Sequence, residues 1–127
     1  ASLSFEDRVV AVMNAHLDFI IAKPQLPSFL FMEIFPSTEN FKLIKEKASS
    51  ALGSLNTQLK ETLESANNNE EIDNISLPML ISDVVTLNAA TAISSQLATK
   101  LLNITKEEYV AMRKQENEIL IRKRLKK

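Results

Sequence analysis

The chain has 127 residues, of which 45% are hydrophobic and 24% charged, with a formal net charge of −1. That is one globular domain's worth of sequence, neither disordered nor fibrous. Cys is absent and Gly and His occur once each, which excludes a disulfide scaffold, thiolate chemistry, a glycine-rich phosphate loop and a zinc site built from histidines of a single chain.

Charge is unevenly spread. Residues 113–127 carry seven Lys or Arg against Glu116 and Glu118, a local net of +5, so the rest carries −6. A basic tail reads either as a polyanion contact or as cations offsetting the negative end of a helix. No aromatic is interleaved with it, which favours the second. No segment has the pattern of a signal peptide, and no run of eighteen apolar residues is present, so the sequence predicts no membrane span and a cytoplasmic location. The chain opens at Ala1-Ser2 without Met, which reads as a processed chain or a fragment of a longer one.

Helical spacing recurs five times, while period-2 alternation is missing, and the sequence predicts an all-α, single-domain fold of five helices over 1–127. The first runs from Ser4, its cap, to about Ala22, with Val9, Met13, His16, Leu17, Ile20 and Ile21 on one face. Pro24 ends it. Pro27 opens a short second helix to about Phe35, rich in Phe and almost without a polar face. The third is capped by Ser37 or Thr38 and reaches about Ala66, with Phe41, Ile44, Ala48, Leu52, Leu55, Leu59 and Leu63 as its stripe. Gly53 lies within it beside Ala48, Ser49, Ser50, Ala51 and Ser54, a small-residue patch that another helix could approach closely. Asn67 to Glu71 reads as a loop.

The fourth helix runs from Leu77, with Ser76 as cap and Pro78 in its first turn, to about Leu102. Only Asp83 and Lys100 are charged along it, and its apolar residues cover most of the circumference, so it should be buried on more than one side. In so small a domain that calls for a central position or a partner chain. Thr105 to Glu108 is a capping box opening the fifth helix, which runs towards Leu125.

Few residues here suit chemistry. His16 reads either as a hydrogen-bonding group in a ligand pocket or as a core histidine satisfied by neighbours. Asp83, one of two charges on an otherwise neutral helix, faces a ligand cavity, pairs with a Lys or Arg of another helix, or sits at the surface. The Phe29–Phe35 cluster with Met13, Met32 and Met79 lines a cavity or fills the core. The adjacent pairs Glu70-Glu71 and Glu107-Glu108 diverge on a helix and form no acid/base pair. With no nucleophile–base pair, oxyanion loop or metal cluster, the sequence predicts no enzyme and no cofactor.

The helix carrying VMNAHLDFI, the KPQLPSFLFMEIF piece from Lys23 to Phe35, and the closing helix with YVAMRKQENEILI from Tyr109 to Ile121 together resemble one family over the whole chain. They look like the C-terminal effector-binding and dimerisation domain of bacterial TetR-type transcriptional regulators. The resemblance implies that the last two helices form a four-helix bundle with a two-fold mate, through Val84, Asn88, Thr91, Ser95, Tyr109, Met112, Glu116 and Ile119. It implies an effector cavity among the earlier helices, which carry His16, Ile20, Met32, Leu52, Leu55 and Asp83, for a hydrophobic or amphipathic small molecule. DNA would be bound only through an N-terminal helix-turn-helix domain absent from this chain. The alternative is a helical protein–protein interaction module without a small-molecule site.

Overall fold

In the computed structural model, residues 3–23, 25 and 38–127 are described, with the backbone alone over parts of 40–58. They form four helices and no strand: α1 (Phe5–Ile21), α2 (Thr38–Asn68), α3 (Leu77–Leu101) and α4 (Lys106–Leu125). The expected helix from Pro27 to Phe35 lies outside the described residues.

Local signals start three of the helices. Ser4 Oγ accepts from Asp7 N at 3.1 Å, Ser76 Oγ from Met79 N at 3.3 Å and Thr105 Oγ1 from Glu108 N at 3.1 Å. Each satisfies one of the N–H groups that a helix start leaves without a partner. The Glu71 carboxylate accepts the Phe5 N–H at 3.0 Å, supplying α1 with a second cap from a distant loop. α2 runs continuously through Gly53 and ends where Glu70 takes a left-handed φ of 55°. Asn67 closes the turn into α3, its Nδ2 donating to Ile75 O at 3.0 Å and its Oδ1 accepting from Ile75 N at 3.4 Å.

α3 lies against both α1 and α4, and the C-terminal part of α2 covers one end. The core sits at that end, where Phe5, Val9, Val10 and Met13 of α1 meet Leu63 and Ala66 of α2, Ile72 and Ile75 of the turn, Leu80 and Val84 of α3 and Ile121 and Leu125 of α4. The α4 C-terminus is fastened to the same turn, with Asp73 N donating to Leu125 O at 2.8 Å. Arg122 in the last turn of α4 reaches Glu6 at 3.3 Å and Asp7 at 2.8 Å in the first turn of α1. Arg124 and Lys127 of the same basic tail lie beside Asp73 and Glu70.

Leu80 is fully buried at the centre of this end. Leu80→Ala is expected to lower the unfolding free energy in urea by about 2–5 kcal/mol, the usual cost of a leucine-sized core cavity. A loss well below about 1 kcal/mol would contradict a packed core at this point.

Candidate functional site

Two features stand out on α3, a polar seam facing inwards and an apolar strip facing outwards. The seam begins at His16 in α1. Its half-buried ring accepts at Nδ1 from Asn88 Nδ2 at 2.7 Å, and the same amide donates to Met13 O at 3.0 Å. Asn88 is 0% exposed, and among the described residues its Oδ1 has no partner. One turn on, Asn117 Nδ2 of α4 donates to Thr91 Oγ1 at 3.0 Å, while Asn117 Oδ1 accepts from Arg113 at 2.7 Å. Thr91 Oγ1 in turn donates to Leu87 O at 2.8 Å and Ser95 Oγ to Ala92 O at 2.8 Å. Each of the four buried polar side chains thus has at least one partner, and the bonds of Asn88 to α1 and of Asn117 to Thr91 hold α3 in one register against both neighbours.

On the opposite side of α3, Ile93, Leu97 and Leu101 are 41%, 59% and 76% exposed. On α4, Met112, Ile119 and Leu120 are exposed as well. A helix repeat of 100° per residue places Ile93, Leu97 and Leu101 within about 80° of one another, so they form one strip. Single exposed hydrophobics are ordinary, but three in line on one helix make a contiguous apolar surface of the kind that interaction sites use.

The residues expected at a dimer interface therefore divide. Val84, Asn88, Thr91 and Ser95 are buried within the single chain, which corrects their assignment to a two-fold surface. Because α3 is uncharged nearly all round, its sequence marks two candidate stripes, and the one carrying Asn88 and Thr91 turns inwards because its amide and hydroxyl find partners there. Tyr109 is half-buried, its hydroxyl 2.7 Å from Ser94 Oγ. Met112, Glu116 and Ile119 are exposed on the outer side of α4. Ile93, Leu97, Leu101 and Leu120 are exposed too, and the signal for the first three was their four-residue spacing in a stretch whose one charge is Lys100.

Of the expected ligand residues, Ile20 is buried and His16 half-buried on the same face of α1. Asp83 lies five residues before Asn88, about 140° away around α3, and so is not brought to His16. Met32 lies outside the described residues, as do the side chains of Leu52, Leu55 and the small-residue patch around Gly53. Two open grooves occur in the described surface. One, of about 330 Å³, is lined by Ile21, Lys106, Glu107, Val110, Ala111 and Lys114. The other, of about 490 Å³, is lined by Leu77, Pro78, Ile81, Ser82 and Val85. Neither is lined by His16, Ile20 or Asp83. Among the described residues no three His, Asp or Glu side chains gather as a metal site.

The sequence predicted no membrane span, yet α3 is long and apolar enough to cross a bilayer by length and hydropathy alone. Scattered Ser, Thr and Asn hide this from a count of consecutive apolar residues, because Leu, Ile, Val and Ala dominate the average. No family model matches the chain, and no curated protein or solved structure is similar to it.

Burial holds the pKa of His16 below its ordinary value of 6.5. The folded state therefore favours the neutral ring, and the unfolded chain takes up the proton first. Stability from neutral His16 is fully present above about pH 6.5 and declines as the pH falls below it, levelling off once the folded ring also titrates. Unfolding measured from pH 7.5 to 5 should show this loss, and His16→Gln should reduce the slope; an unchanged slope would contradict the assignment. Asn117→Ala, which strands Arg113 and Thr91, is expected to cost about 1–3 kcal/mol in the same assay.

Proposed function

We propose that this chain is the effector-sensing and homodimerisation domain of a TetR-type transcriptional regulator. The observation that carries the reading is the apolar strip of Ile93, Leu97 and Leu101 on α3, together with the exposed Met112, Ile119 and Leu120 on α4. It lies on the last two helices, the pair through which the resembled domains meet their two-fold mates. A second copy presents the same strip, and an isologous pairing buries both at once.

In this reading α3 is the shared wall between two jobs. Its inner side meets α1 at His16 and Asn88, and its outer side meets the second copy. A hydrophobic or amphipathic effector bound among the earlier helices would bias the angle between the two chains, and so the spacing of DNA-binding domains that belong to the parent regulator and not to this chain. Such coupling requires the effector to bind the two arrangements with different affinities. The reading assigns the chain no catalysis, and a cytoplasmic location with α3 covered by protein. A second reading, a helical interaction module without a small-molecule site, draws support from the open form of both grooves and their separation from His16.

Sedimentation equilibrium tests the dimer. The native chain is expected to sediment as a dimer at micromolar concentration, and Leu97→Glu as a monomer that keeps its helical circular dichroism. A native monomer contradicts the reading. A dimer whose melting temperature no fatty acid, dye or bile-type amphiphile raises favours the interaction module instead.

A further inference from the structure

The outer stripe of α4 runs Met112, Glu116, Ile119, Lys123, at alternating spacings of four and three, so all four project from one side. All four are exposed, and no ion pair joins Glu116 or Lys123 to another described residue. The two charges lie two turns apart, about 10.5 Å along the axis, with Ile119 and Leu120 between them. An apolar strip thus carries one negative and one positive group on either side of its hydrophobic centre.

Resting on the dimer reading above, we infer that α4 packs antiparallel against α4 of a second copy, with the two-fold axis between Ile119 and Leu120 and Glu116 of each chain paired with Lys123 of the other. Symmetry makes the choice. With the axis parallel to the helices, Glu116 meets Glu116 and Lys123 meets Lys123, and like charges oppose each other beside an apolar contact. With the axis perpendicular to them and centred on Ile119 and Leu120, both charges find opposite partners, twice per dimer. The occupant of the strip is therefore a second copy of this chain, because the charge pattern complements itself. The pairs lie at the margin of the apolar contact, so they select register and partner more than they add affinity.

Charge reversal separates this arrangement from dimerisation as such. Glu116→Lys alone and Lys123→Glu alone each oppose like charges twice, and each is expected to raise the dimer dissociation constant about ten-fold at low salt. The double variant E116K/K123E should recover native affinity. An equimolar mixture of the two single variants should form mixed dimers in preference to either homodimer, detected by native mass spectrometry. A native chain that dimerises while both single variants dimerise equally well, or a mixture that pairs at random, overturns the register and leaves the dimer reading standing. A native chain that does not dimerise at all overturns both.

Discussion

α3 carries apolar side chains on two opposite sides, and the described chain covers one of them. Leu80, Val84, Ala92 and Ala98 face the chain's own core, while Ile93, Leu97 and Leu101 face away from it. The chain supplies α1 and α4 along its length and the end of α2 at one extremity. Three neighbours leave one side open, and burial of apolar surface at about 25 cal/mol per Å² makes a partner on that side favourable. The proposed partner is a second copy, since α4 also exposes Met112, Ile119 and Leu120 and carries a charge pattern that complements itself under two-fold symmetry.

What keeps α3 from turning its outer side inwards is polar. Asn88, Thr91 and Ser95 line the inner side, and Asn88 and Thr91 each hold a side-chain partner on a neighbouring helix. Rotating α3 would break the bonds of Asn88 to α1 and the bond that Thr91 accepts from Asn117. The apolar strip is free to face outwards because the polar seam is committed inwards. The same seam ties α1 to α3 through His16, so a disturbance of α1 reaches the helix that carries the outer strip.

Much of this was legible in the residues. Ser4, Ser76 and Thr105 each cap a helix start as their side chains suggest, since capping depends on a few neighbouring atoms. The all-helical class follows from spacing alone. The orientation of α3 was not legible: without a charged face, spacing offers two stripes, and long-range partners decide between them. Asn117 was equally hidden, because an Asn inside QENE reads as a solvated residue until Thr91 is placed opposite it. Asp83 left a cavity, a pair or a surface position open, and its half-buried place about 140° around α3 from Asn88 was set by which side of the helix turned inwards.

Methionine methyl groups offer a direct view of the open side without altering the sequence. Met13 is buried within the single chain, whereas Met112 lies on the outer strip, 52% exposed when the chain stands alone. A soluble paramagnetic agent added to methyl-labelled protein at high micromolar concentration should leave the Met112 signal as sharp as that of Met13, and should broaden Met112 selectively on dilution. A Met112 methyl broadened at every concentration would show the strip standing in water, and would contradict a second copy as its cover.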